Sequence, residues 1–137
     1  MNLRPHQVVL TVSDLDASIE FYGRFGFSAS SRIRKRDGRE RVTLRAPESD
    51  GFELKLFSNP DPRPLDAQLT LQGQLASIGT RYLSLLCDDV DKFYERHRRA
   101  LNFVRAPKTG MTGCRYAFFT DPDGILLEVY QPKYHGH

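Results

Sequence analysis

Two glutamates carry the first chemical signal. Glu53 and Glu128 stand seventy-five residues apart, and the same interval separates Gln7 from Tyr82. Two carboxylates drawn into one partly desolvated cavity disfavour being ionised together. A divalent cation relieves that repulsion. So does a neighbouring ammonium, and Lys55 lies two residues from Glu53, on the same face of an extended strand. With neither, one carboxyl keeps its proton and becomes a general acid or base. The histidines are poorly placed to join in. His6 adjoins Gln7, so strand alternation turns it to the opposite face, and His97 falls on the inward stripe of a helix, where packing is its expected role. His135 and His137 belong to a C-terminal tail.

These residues need a scaffold, and the chain supplies it twice. Gln7-Val-Val-Leu-Thr-Val-Ser-Asp-Leu-Asp16 and Tyr82-Leu-Ser-Leu-Leu-Cys-Asp-Asp-Val-Asp91 share one pattern: an apolar strand, an acidic pair around one aliphatic residue, then a helix. The offset of seventy-five takes Asp14 to Asp89, Asp16 to Asp91, Pro47 to Pro122 and Glu53 to Glu128, which reads as two copies of one module. In the first copy, 7–12 reads as a strand, Ser13 or Asp14 as a helix cap, and Leu15, Ile19 and Tyr22 as an apolar stripe. Gly26 is placed to end that helix in a left-handed conformation, and strands near 28–35, 40–46 and 52–57 follow. The second copy reads as a strand at 82–87, a helix opened by Asp88 or Asp89 with Val90, Phe93, His97 and Leu101 inward, and strands near 102–106, 115–120 and 125–130. The fold class is α+β: two tandem βαβββ modules, about 5–57 and 81–131, make one domain through a Pro-rich linker, 58–80, with room for one short helix. Alternation leaves each first and fourth strand with one apolar face and one mixed face. Gln7, Thr11, Glu53, Lys55, Phe57, Tyr82, Glu128 and Tyr130 all fall on mixed faces, as the lining of a ligand cavity would.

Composition narrows the partners. The chain has 137 residues, 39% hydrophobic and 27% charged, which suits a globular domain with a real core. No run approaches a membrane span, no leader pattern precedes residue 7, and Cys87 and Cys114 make no disulfide framework, so a cytoplasmic setting away from membranes is expected. Seven of the twenty Lys and Arg lie between Arg32 and Arg45. Asp37-Gly38 there signals a two-residue turn, flanked by Ile33, Val42 and Leu44. No aromatic residue or nucleic-acid motif accompanies these cations, so the stretch reads as a solvated hairpin and no nucleic-acid partner is expected.

The string Val8-Val-Leu-Thr-Val-Ser-Asp-Leu-Asp-Ala-Ser-Ile-Glu-Phe-Tyr-Gly-Arg-Phe-Gly-Phe27 resembles the opening of a vicinal oxygen chelate module. Asp121-Pro-Asp-Gly-Ile-Leu-Leu-Glu128 is similar to that superfamily's closing hairpin. The group includes glyoxalase I, extradiol dioxygenases, and the fosfomycin and bleomycin resistance proteins. In its metal-dependent members, the first and fourth strands of each module supply four ligands, and the resemblance places these at Gln7, Glu53, Tyr82 and Glu128. Gln7, Glu53 and Glu128 are credible ligands for nickel, zinc, manganese or cobalt. Tyr82 departs from the usual histidine, and a neutral phenol is a weak ligand. A bound divalent metal and a metal-free cavity therefore both stay open.

The same departure disfavours the dioxygenase and fosfomycin-resistance patterns, which use two His and one Glu. The Arg and Asn with which glyoxalase I grips glutathione are replaced here by Thr11 and Phe57, and a sequence pI near 9.0 does not suit a cationic drug. The first reading that survives is a metal-assisted lyase or isomerase. It would act on a small substrate with adjacent oxygens through an enediolate-type intermediate, with Glu128 or Glu53 moving the proton. The alternative is a metal-free protein that binds or sequesters a small molecule, with Tyr82, Phe57 and Tyr130 as aromatic walls. The resemblance also implies a homodimer, and a single shared cavity across which Glu53 and Glu128 meet.

Overall fold

Two aspartates set where strands give way to helices. Asp14 has an extended backbone (φ −136°, ψ 106°), and its side chain accepts from the Ala17 amide at 3.1 Å. That bond caps an otherwise unpaired helix donor, so the chain turns from β1 (Gln7–Val12) into α1 (Leu15–Gly23) at this point. Asp89 does the same seventy-five residues later, accepting from the Lys92 amide at 3.0 Å between β5 (Leu83–Leu86) and α3 (Val90–His97). The residue two beyond each cap ties its helix to the sheet. Asp16 accepts from Arg32 at 2.6 Å, and Asp91 receives a two-pronged bond from Arg115 at 2.8 and 3.0 Å.

The computed structural model describes residues 1–48, 51–65, 70–76, 78–80 and 82–133, so His135 and His137 lie outside the described residues. The remaining elements are β2 (Ser28–Arg34), β3 (Glu40–Arg45), β4 (Glu53–Ser58), α2 (Leu71–Ala76), β6 (Asn102–Thr109), β7 (Arg115–Thr120) and β8 (Leu126–Gln131). They form two four-stranded mixed sheets, ordered β1-β4-β3-β2 and β5-β8-β7-β6, each parallel at the first pair and antiparallel elsewhere. This is the duplicated βαβββ module of the α+β class. The chain divides into two compact units, Met1–Pro64 and Leu65–His137.

In unit 1, Val12, Val42, Leu44, Leu54 and Leu56 pack with Phe21 and Tyr22 of α1 and are all buried. Each such apolar side chain contributes about 1.5–3 kcal/mol on leaving water. Gly26 has φ +93°, and a Cβ there would meet Pro47 Cγ at 2.9 Å, so both conformation and space select glycine. In unit 2, Val90, Phe119, Leu127 and Val129 are buried, and the His97 ring lies 4.6 Å from that of Phe93. His97 is thus a packing residue of α3.

Two segments differ from the sequence expectation. The hairpin of β2 and β3 closes from the Lys35 amide to the Arg39 carbonyl at 2.8 Å, so its loop is longer than the two residues that Asp37-Gly38 suggests. Strand β6 continues past 106 to Thr109 although it contains Pro107. It can do so because β6 is a sheet edge, where a missing amide costs no ladder bond, and its pairing with β7 is irregular there. Among the described residues no helix is long and apolar enough to cross a membrane.

Two consequences are measurable. The Ser18 hydroxyl is buried in α1 with no hydrogen-bond partner among the described residues. Ser18→Ala removes that desolvated group and improves helix propensity, so urea denaturation should show a gain of about 1 kcal/mol. The Arg115 hydrogen bond holds the Asp91 carboxyl below its usual range. A depressed folded value means stability present above the unfolded carboxyl value, near pH 4, and lost as pH falls through the folded one. Wild type should therefore lose more stability than Asp91→Asn between pH 5 and pH 2.5, and equal losses would contradict the clamp.

Candidate functional site

The mixed face of unit 1 is laid out in rows by strand register. β1 beside β4 sets Gln7 against Glu53, Val9 against Lys55 and Thr11 against Phe57. β3 on the other side of β4 adds Arg45 opposite Glu53, Thr43 opposite Lys55 and Arg41 opposite Phe57. Residues directly opposite share a face, so these side chains project together, away from buried Leu54 and Leu56. The Gln7 amide donates to the Glu53 carboxylate at 3.4 Å. The Lys35 ammonium sits 5.7 Å from the centre of the Phe57 ring. Glu53, Lys55 and Phe57 are half-buried, and Thr11 is exposed.

Unit 2 presents different chemistry on its matching face. Glu128 is only 7% exposed, and the Ser84 hydroxyl donates to it at 2.6 Å. Phe118 of β7 lies opposite Glu128 on the other side. The half-buried Tyr82 packs edge-on to Phe118, with ring centres 5.0 Å apart, and Tyr116 approaches the same ring at 5.8 Å. The Arg105 guanidinium stands 5.9 Å from the Phe118 ring. Tyr130 follows one row along, opposite Tyr116. Hydrogen bonding with Cys114 pushes the Tyr130 phenol above its usual range, and burial does the same to the Cys87 thiol.

The two faces are out of step by one row. In unit 1 the strand neighbour of Glu53 is Gln7, and the interval of seventy-five would make Tyr82 the neighbour of Glu128. The neighbour is Ser84, two residues further on. The cause lies in the closing hairpins. Gly51 and Gly124 adopt the same left-handed turn conformation, with φ of 84° and 85°. Glu53 comes two residues after its glycine and Glu128 four residues after its own. Two residues shift a strand by about 6.7 Å while keeping each side chain on its face. Counted from the helix caps, the unit 1 residue in the row that Glu128 occupies is Lys55.

Each candidate has a definite place. Gln7 and Glu53 are brought together, as are Lys55 and Phe57 in the rows beyond them. Tyr82 and Glu128 share a face in unit 2, but Ser84 stands between Tyr82 and the carboxylate's row. Sequence reading missed Ser84, Phe118, Tyr116 and Arg105 as site residues. Alternation does place Ser84 on the mixed face; what it lacks is the register that makes Ser84 the neighbour. Gln7 and Glu53 suit an oxygen-preferring cation. Unit 2 offers one carboxylate already engaged by a hydroxyl, together with a neutral phenol. Among the described residues, no three His, Cys, Asp or Glu side chains gather into a group that could hold a metal. The donor set fits zinc or nickel poorly.

The family model described as the Glyoxalase/Bleomycin resistance protein/Dioxygenase superfamily matches residues 4–129. The chain is 28% identical over 129 residues to the uncharacterized protein YwkD of Bacillus subtilis, covering 92% of this chain and 94% of that one. It is 34% identical over 139 residues to lactoylglutathione lyase GLX1 of Arabidopsis thaliana, covering 95% of this chain and 44% of the lyase. Among solved structures, the antibiotic binding protein TnmS3 from a Streptomyces species is 25% identical with a TM-score of 0.69, covering 97% of this chain and 99% of its own.

Ser84→Ala tests the unit 2 geometry. It leaves a buried carboxylate without its hydroxyl donor, so stability should fall by about 1–3 kcal/mol at pH 7 in urea denaturation. Ser84→Thr, which keeps the donor, should recover most of that loss.

Proposed function

The chain belongs to the Glyoxalase/Bleomycin resistance protein/Dioxygenase superfamily, and from that membership we propose that it binds or sequesters a small molecule without a metal. The ligand lies on the mixed face of unit 2, against Tyr82 and Tyr130, with Glu128 as its polar contact. One observation carries the reading: the place beside Glu128 is filled by the Ser84 hydroxyl at 2.6 Å, while Tyr82 turns its ring to Phe118. Where metal-dependent relatives are expected to set a histidine, this chain offers an aromatic wall. Flat aromatic side chains hold planar ligands well, adding about 0.5–1.5 kcal/mol per ring pair beyond burial. Likeness to an antibiotic binding protein supports the same class of activity. We propose a homodimer acting in the cytoplasm as its working form.

A second reading is favoured by the Gln7–Glu53 pair and by the likeness to lactoylglutathione lyase. In it, Gln7, Glu53 and Glu128 hold nickel, zinc, manganese or cobalt, and the protein is a lyase or isomerase. The metal would act as a Lewis acid on adjacent substrate oxygens. Glu53 and Glu128 are the groups available to move a proton, and Lys55 and Phe57 would orient the substrate.

Metal analysis of protein purified without added metal decides between them. The binding reading expects less than stoichiometric metal and no rise in melting temperature with millimolar nickel, zinc, manganese or cobalt. It also expects Tyr82→Ala to weaken, by roughly fivefold or more, any ligand recovered from a small-molecule screen. Stoichiometric metal with a stabilised fold, or Tyr82→Ala without effect on the ligand, would replace this reading with the metal-assisted one.

A further inference from the structure

The cations of unit 1 fall into two groups. Several on the helix side or in the hairpin loop are paired: Arg32 with Asp16 at 2.6 Å and with Glu40 at 2.7 Å, and Arg39 with Asp37 at 3.2 Å. Those on the mixed face are not. Among the described residues, no ion pair engages Arg41, Arg45 or Lys55, although Arg45 stands directly opposite Glu53. Arg41 and Lys55 are also half-buried. Holding a guanidinium and an ammonium partly out of water, one row apart on the same face and outside any ion pair among the described residues, costs free energy that a bound anion repays.

Their spacing is compact. Arg41 and Arg45 are four residues apart on β3, about 13 Å along the strand. Lys55 lies on the adjacent strand opposite Thr43, midway between them. The Lys35 ammonium over Phe57 adds a fourth positive charge, against the single carboxylate of Glu53. Thr43 supplies a hydroxyl at the centre of the group.

We infer that the mixed face of unit 1 is an oxyanion subsite, in which Arg41, Lys55 and Arg45 grip a carboxylate or phosphate group of a small-molecule ligand. Arginine offers the planar fork that matches either group, and lysine adds a point charge. The inference stands apart from the unit 2 reading, since it needs neither Tyr82 nor Glu128. A nucleic-acid backbone would instead use the outward hairpin cations, of which Arg32, Arg34 and Arg39 are already engaged by aspartate or glutamate.

The test uses the full chain with inorganic phosphate and with succinate, followed by amide chemical shifts. Titration of either probe should move the amides of Arg41, Thr43, Arg45 and Lys55, with affinity falling as sodium chloride rises from 20 to 300 mM. Arg41→Gln and Lys55→Gln should each weaken the probe about tenfold, and Arg36→Gln on the hairpin should not. Phosphate but not succinate, or the reverse, would identify which anion the subsite prefers and support the inference. Tyr82→Ala should leave both probes unaffected, which separates this outcome from failure of the unit 2 reading. Shifts concentrated at residues 35–39, equal affinity in all variants, no shift at 50 mM probe, or tighter binding of a DNA oligonucleotide that depends on Arg36 would each overturn it.

Discussion

Strand register is the constraint on which the site depends. Side chains on a sheet are placed in steps of two residues, so the pairing of β5 with β8 alone decides what stands beside Glu128. With Ser84 there, the carboxylate is held by a hydroxyl and bounded by Phe118, and Tyr82 is released to pack against that ring. A pairing shifted by two residues would seat Tyr82 beside the carboxylate instead. The register is in turn held by the helices, because Asp14 and Asp89 fix where each first strand ends and Arg32 and Arg115 anchor each helix to its sheet.

Duplication gave both units the same scaffold and different chemistry on the equivalent face. Unit 1 keeps its cations: Lys55 and the two arginines of β3 surround an amide–carboxylate pair. Unit 2 sets Tyr116, Phe118 and Thr120 of β7 where unit 1 has Arg41, Thr43 and Arg45, and it keeps one buried carboxylate on that face. The apolar faces show no such divergence. Leu54 and Leu56 in one unit and Leu127 and Val129 in the other are buried alike beneath their helices. Packing constrains the helix-covered face to apolar residues of the right volume, and leaves the other face free to change its partners.

Much of this was legible in the residues themselves. The acidic caps, the apolar stripe of α1, the alternation of β4 and β8 and the repeat of seventy-five together specify two βαβββ modules, because helix capping and side-chain periodicity are local properties. The mixed face was legible for the same reason, with Gln7 and Glu53 both assigned to it. The extent of β6 was not, since Pro107 argues against a strand unless that strand is known to be an edge.

The sequence by itself determined the fold class, the duplicated module, the two glutamates and the face on which each lies. Only the tertiary structure decided their neighbours: Ser84 rather than Tyr82 beside Glu128, Phe118 as the ring that Tyr82 meets, and Arg41 and Arg45 as the cations on either side of the row of Lys55. The reason is physical. Alternation assigns a side chain to a face from its own strand alone. Its neighbour depends on how another strand is set against it, and here the closing turn is two residues shorter from Pro122 to Gly124 than from Pro47 to Gly51, which sets Glu128 in the row of Lys55 and not of Glu53.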